Sequence, residues 1–168
     1  MILKKMNAVI ALLVTLVLAL HNSINACMML LGRVEESPLL PAIILFVLFA
    51  VHVLVSLFML IFRNDHGRTA YTNVRKGWLL QRITAVAMIP LVMFHSFARV
   101  GQSGIGLIPV LIAHFFVMLL AYIHIPLSVP NALVTLGVID SSKQHTAVQR
   151  ICWVICVLLF LLGLAASI

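Results

Sequence analysis

The apolar residues of this chain are grouped into five long runs, separated by short segments that carry most of the charged residues. Each run holds about the 20 residues that a helix needs to cross a hydrocarbon core. Inside lipid the backbone must satisfy its own hydrogen bonds, so each run is predicted to be an α-helix. The predicted spans are residues 6–31, 40–62, 79–100, 105 into the 120s or 130s, and 151–168.

The end of the fourth span is hard to place because Pro126 and Pro130 interrupt it, although apolar sequence continues to Ile139. A helix that bends at proline and runs on past the membrane surface explains both features. The first run, which follows Lys4 and Lys5, resembles a signal peptide. It is as long as a span, however, and apolar sequence resumes after it, so we expect it to remain as the first helix.

The composition supports an integral membrane protein. Of the 168 residues, 64% are hydrophobic and only 9% are charged, which is not the balance of a soluble domain. We therefore expect an all-α bundle of five transmembrane helices in a single domain, residues 1–168. The net charge of +7 does not indicate nucleic-acid binding, because most basic residues lie in short segments between spans.

The distribution of basic residues predicts the orientation. One side of the predicted membrane carries Lys4, Lys5, Arg63, Arg68, Arg75, Lys76, Arg82, Lys143 and Arg150. The other side carries only Arg33 and Arg99. The positive-inside rule then places the N-terminus in the cytoplasm and the C-terminus outside. We expect the chain to lie in the inner (cytoplasmic) membrane of the cell.

Histidine is the most informative residue type, because each of the first four spans contains one in an apolar context: His21, His52, His95 and His124. An ionisable side chain in hydrocarbon is costly and indicates function. Four imidazoles on separate helices can form two facing pairs, which are the axial ligands that a haem iron takes. From the helical rise, His21 and His95 both lie about 22 Å from the cytoplasmic start of their spans. His52 and His124 become level if the fourth span runs past Pro126.

Other readings of these side chains remain open. A single histidine in a span often bonds a neighbouring helix or lines a cavity. His114, also within the fourth span, rivals His21 or His95 as a ligand or hydrogen-bonds near a quinone. His66 and His145 fall in basic loops, and we expect them to be solvated. The cysteines, which match no zinc or disulfide spacing, are expected to be small packing residues: Cys27, Cys152 and Cys156.

Two stretches carry a family resemblance. Residues 81–85, Gln-Arg-Ile-Thr-Ala, precede His95, and the segment from His124 through Ser128 leads to Gly137. In these features the chain resembles the di-haem, five-helix cytochrome b subunit of succinate dehydrogenase and fumarate reductase. The resemblance implies that His21 and His95 bind the outer haem b, and that His52 and His124 bind the inner one.

The resemblance also implies partners. A flavoprotein subunit and an iron–sulfur subunit are expected to dock on the cytoplasmic side. A quinone, with menaquinone as the expected species, exchanges electrons with the haems. Lipid surrounds the chain, and two complexes can pair as a dimer. The chain contains no dinucleotide fingerprint, phosphate loop or Ser-His-Asp arrangement. It is therefore expected to be a quinone-reactive electron-transfer subunit that does not itself oxidise succinate or reduce fumarate.

Two residues at the cytoplasmic start of the third span are candidate partners of haem propionates. Trp78 can donate an indole N–H, and Arg82 can supply a charge-assisted hydrogen bond. Trp78 is equally interpreted as an interfacial belt residue, and Arg82 as a side chain that snorkels to the membrane surface.

Three alternative functions stay open at this point. The first alternative is the cytochrome b subunit of another quinone-linked dehydrogenase or hydrogenase. A small transporter whose histidines line a polar path is a different class, and it requires polar companions along that path. A structural anchor without haem is the last alternative.

Overall fold

The computed structural model describes residues 2–32, 39–62, 72–100 and 107–166, and these form five α-helices. All five are long and apolar enough to cross a membrane, which confirms the predicted helical, multi-pass architecture. The helices are α1 (Ile2–Leu30), α2 (Leu39–Phe62), α3 (Thr72–Val100), α4 (Leu107–Leu136) and α5 (Ser142–Ala166).

Helix α5 begins at Ser142, well before the predicted start of the fifth span. Its first turn is closed by a reciprocal cap. The backbone N–H of Gln144 donates to Ser141 Oγ at 3.3 Å, and the backbone N–H of Ser141 donates to Gln144 Oε1 at 3.4 Å. This capping box satisfies backbone donors that a helix otherwise leaves unpaired, so the polar segment before the apolar run is helical.

Helix α4 continues through both of its prolines, as predicted. Pro126 and Pro130 are fully buried, and the helix ends only at Leu136. Gly137 follows with φ 79°, a backbone conformation that favours glycine. Its N–H donates to Val134 O at 3.1 Å, and Val138 N–H donates to Leu133 O at 3.0 Å, which closes the helix with a Schellman motif.

The helices pack in the order α2–α1–α4–α3, and α5 packs against both α1 and α4. Within the described ranges, α2 makes close backbone contacts with α1 alone, and α3 with α4 alone. The pairs α1/α3 and α2/α4, called the diagonal pairs below, therefore do not pack directly. Helix α2 contains no buried residue among those described.

A cluster of buried hydrophobic residues lies between α1, α4 and α5. Its core consists of Met118, Tyr122, Ile125 and Cys156, with Leu18, Val129, Leu159 and Phe160 packed around it. Tyr122 meets Phe160 edge to face, with ring centroids 6.4 Å apart. Cys156 is thus a packing residue, whereas Cys27 is exposed.

A polar contact and a close approach join α1 to α5. The side chain of Asn22 is 7% exposed, and its Nδ2 donates to Leu159 O at 3.1 Å. Gly163 lies one turn further along α5, where a Cβ atom would overlap the Met118 side chain and lie 3.2 Å from Asn22 Oδ1. Asn22, Met118 and Gly163 are therefore at the same depth in the bundle.

We expect Gly163→Ala to destabilise the bundle slightly, because the added methyl group must displace the flexible end of the Met118 side chain and lies close to Asn22 Oδ1. The matched change Gly77→Ala adds a Cβ only 3.8 Å from Leu127 Cδ2, which is ordinary contact. Because only the end of a side chain has to move, Gly163→Ala should unfold with a free energy about 1 kcal/mol below that of Gly77→Ala. Reversible unfolding in detergent, followed by circular dichroism, measures the difference. Equal free energies for the two variants would contradict the close packing at Gly163.

Candidate functional site

His124 on α4 is held by the backbone and a side chain of α3. Its Nδ1 lies 3.0 Å from the carbonyl oxygen of Gln81 and 3.1 Å from Thr84 Oγ1. A carbonyl can only accept, so Nδ1 must carry the proton and donate to it. In the neutral ring, Nε2 then keeps a free lone pair. A ring nitrogen that donates to a backbone carbonyl while the other is available is the arrangement of a metal-binding histidine.

Thr84 supports this arrangement and is itself almost completely buried, with 2% of its surface exposed. Its hydroxyl donates to Leu80 O at 2.9 Å, one turn earlier in the same helix. The hydroxyl oxygen is therefore free to accept from His124 Nδ1–H as a second acceptor. A buried hydroxyl with no partner would be costly in lipid, and here it is satisfied on both sides.

His52 lies on α2, and α2 and α4, which carries His124, form one of the two diagonal pairs. The two imidazoles are close enough to interact electrostatically. His52 Nδ1 is buried, and no described residue forms a hydrogen bond with it. One turn along α2, Ser56 Oγ donates to Asn7 Oδ1 at 3.3 Å and ties this part of α2 to α1. His52 therefore lies within electrostatic range of His124, and the pairing of the two rings around a metal stays a prediction.

A second group of histidines lies at the opposite end of the bundle, which is the end where α1 finishes. The rings of His95 on α3 and His114 on α4 have centroids 5.1 Å apart and an interplanar angle of 31°. Asn25 Nδ2 donates to the ring of His21 on α1, and it lies 3.0 Å from Nε2 and 3.4 Å from Nδ1 of that ring. His114 and His124 are ten positions apart on α4, so the two groups are separated by about 15 Å along the helix.

The sequence suggested His21 and His95 as the outer pair, and the contact between His95 and His114 was not anticipated. Its reason is helix packing: α3 packs directly on α4, so these two rings meet, whereas α1 and α3 form a diagonal pair. His21 neighbours Asn22, which lies level with Met118 one turn from His114, so all three histidines share one end of the bundle. The pairing of His21 with His95 stays a prediction.

Trp78 and Arg82 contact each other. The guanidinium carbon of Arg82 lies 4.0 Å from the centroid of the Trp78 ring, a cation–π contact. Both side chains are exposed, one turn apart on α3. Gln81 and Thr84, by contrast, face α4. The structure therefore places the two predicted propionate partners on an exposed side of α3.

The expectation that His145 lies in a loop is wrong, although its side chain remains partly exposed. Since α5 starts early, His145 lies in its first turns, and its Nε2 is 3.2 Å from Asn131 Oδ1 on α4. Asn131 Nδ2 in turn donates to Gln81 Oε1 at 3.3 Å. Sequence reasoning missed Asn131, although a signal existed: it follows His124 by seven positions and so shares its helix face.

Among the described residues, no three His, Cys, Asp or Glu side chains converge as they would around a metal ion held by protein alone. A haem iron needs only two axial protein ligands, so this finding bears on other kinds of metal site. In comparisons with known proteins, no family model, curated protein or solved structure matches this chain.

We expect the neutral His124 ring to be protonated at Nδ1 in the protein without added cofactor. The Gln81 carbonyl, 3.0 Å away, requires a donor there. Nitrogen-15 NMR of histidine-labelled protein in micelles distinguishes the two ring nitrogens, and the signal that disappears in His124→Gln identifies the residue. A proton on Nε2 of His124 would contradict this assignment.

Proposed function

We propose that the chain is an integral membrane cytochrome b, which carries electrons between a membrane quinone and soluble redox subunits. One observation carries the proposal: His124 presents Nε2, with its Nδ1–H fixed on α3, and His52 lies within electrostatic range of it on the diagonal helix. Both side chains sit within spans long and apolar enough to cross the membrane.

The spacing of the helices supports axial ligation by this pair. Helices in direct contact lie about 8–10 Å apart, which leaves no room for two imidazoles with a metal between them. Helices α2 and α4 do not pack directly in the described ranges, yet His52 and His124 interact across them. The Nδ1 of His52 is buried and no described residue bonds it, so coordination of a metal at this nitrogen would supply the partner that it otherwise lacks.

A bound haem supplies one-electron chemistry, because its iron is stable in two oxidation states. The contribution of this chain is to orient the ligand imidazoles and to tune the reduction potential of the haem. The hydrogen bond from His124 Nδ1–H to the Gln81 carbonyl fixes the ring and makes Nε2 a stronger electron donor. The surrounding apolar helices exclude water and lower the local dielectric, which also affects the reduction potential.

A second haem b between His21 and His95 completes the proposal. These residues lie on the other diagonal pair, α1 and α3, which likewise do not pack directly in the described ranges. With the inner pair at one level and these histidines about 15 Å further along the bundle, the chain would hold one haem towards each membrane surface.

The proposed complex is of the succinate dehydrogenase or fumarate reductase type, in the inner membrane, with the N-terminus of α1 in the cytoplasm. The flavoprotein and iron–sulfur subunits would dock at that end, where Lys143 and Arg150 are exposed on α5. The quinone, with menaquinone as the expected species, exchanges electrons with the haems. Trp78 and Arg82, which contact each other on the exposed side of α3, would have to turn towards α4 to supply a donor and a positive charge to the propionates of the inner haem.

The first test is the stoichiometry of haem. The protein purified after expression with ample haem should show b-type absorption bands on reduction with dithionite, and about two haem groups per chain. His52→Ala and His124→Ala should each remove one haem, and His21→Ala and His95→Ala should each remove the other. Pyridine haemochrome analysis gives the ratio for each variant.

Two histidine variants serve as controls for this test. His66→Ala, between α2 and α3 in the sequence, and His114→Ala should both retain two haems. A colourless preparation of the unaltered protein would overturn the proposed function. Loss of a haem in His114→Ala, with retention in His21→Ala, would instead reassign the outer pair.

A further inference from the structure

Three polar side chains join α3, α4 and α5 at the end of the bundle where α1 begins: His145, Asn131 and Gln81, called the latch below. His145 Nε2 lies 3.2 Å from Asn131 Oδ1. Asn131 Nδ2 lies 2.7 Å from Leu127 O and 3.3 Å from Gln81 Oε1. Each of the three helices therefore contributes one member to a continuous line of hydrogen bonds.

The direction of every bond in the latch is determined. Two carbonyl-type oxygens surround Asn131 Nδ2, so this atom must be the amide nitrogen, which donates to both. Asn131 Oδ1 then faces His145 and can only accept. His145 Nε2 must consequently carry a proton and donate to it. Reversing the amide would set oxygen against oxygen at 2.7 Å from Leu127 O, which is unfavourable.

Gln81 connects the latch to His124, because two residues of α4 form hydrogen bonds with it. The side-chain oxygen of Gln81 accepts from Asn131, and its backbone carbonyl accepts from His124 Nδ1–H. His124 and Asn131 are seven positions apart, on one face of α4. The two contacts together fix the position of residue 81 along and around α4, and hence the carbonyl that orients the imidazole.

We propose that Asn131 is a positioning residue for His124. Asn131 accepts a hydrogen bond from His145 and donates one to the side chain of Gln81. These bonds fix the position of the Gln81 carbonyl and therefore the direction of Nε2 of His124. The consequence at a bound haem rests on the proposed function. If the Nδ1–H bond lengthens, the imidazole donates less electron density to iron, so the reduction potential of the inner haem rises.

The test compares Asn131→Leu with Thr135→Val. Leucine has a similar size but no hydrogen-bonding atoms in its side chain, so the hydrogen bonds of residue 131 to Gln81 and His145 are lost. Thr135 lies one turn further along α4, and its hydroxyl donates to Asn131 O of its own helix at 2.8 Å. Nitrogen-15 NMR without haem should show a single Nδ1–H form of His124 in the unaltered protein and in Thr135→Val. Asn131→Leu should show a second, Nε2–H form.

The same variants are then measured with haem. Asn131→Leu should raise the midpoint potential of the inner haem and leave that of the outer haem unchanged, whereas Thr135→Val should change neither. A residue that merely stabilises the fold would lower the unfolding free energy without moving the NMR signal or the potential. In that case the positioning role is wrong.

A second set of variants covers the case in which Asn131→Leu does not fold. His145→Ala removes the outermost donor of the latch, while His145→Gln retains an N–H at the position of Nε2. We expect His145→Ala to give the second His124 form and a raised potential, and His145→Gln to restore both readouts. Identical behaviour of the two His145 variants would overturn the proposal.

Failure of the two proposals can be distinguished. If no haem binds, the proposed function fails, but the NMR comparison still tests whether Asn131 orients His124. If haem binds at both sites and Asn131→Leu changes neither the tautomer of His124 nor the potential, the proposed function stands and the positioning role fails.

Discussion

A polar group within hydrocarbon has no water to pair with, so every such group in this bundle requires a partner from the protein. This constraint explains the contacts that hold the helices in register. Asn22 joins α1 to α5, Thr84 and Gln81 join α3 to α4, and Ser56 joins α2 to α1. Apolar packing between the helices is generic by comparison, since lipid tails pack against leucine as well as another helix does.

His52 and His124 differ in how far the surrounding protein satisfies this constraint. His124 has its Nδ1–H satisfied twice over on α3, which leaves one nitrogen for another purpose. His52 has a buried nitrogen that no described residue satisfies. One ring is thus fixed in advance, and the other lies on α2, the helix that packs against α1 alone in the described ranges. A metal bound by Nε2 of His124 and Nδ1 of His52 would complete the bonding of both rings and connect α2 to α4, which it does not contact directly in the described ranges.

Much of the fold could be predicted from the sequence, because five apolar runs in a short chain permit few structures. Continuation of α4 through Pro126 and Pro130 was also predictable, since apolar sequence extends beyond them. The start of α5 was not, because hydropathy reports the hydrocarbon core and is insensitive to a capped polar turn such as the one at Ser141. The contact of His95 with His114 was missed because the facing side chains of α3 and α4 depend on helix rotation, which depth along the membrane does not reveal.

The hydrogen bond from Asn22 to Leu159 joins two helices that are far apart in the sequence, α1 and α5. During biosynthesis α1 is made well before α5, so this amide meets its acceptor only after α5 has been synthesised. Until then the nascent α1 carries a polar side chain without the partner that it has in the folded bundle. Synthesis of α5 thus removes a desolvation penalty that α1 carries from the time of its insertion.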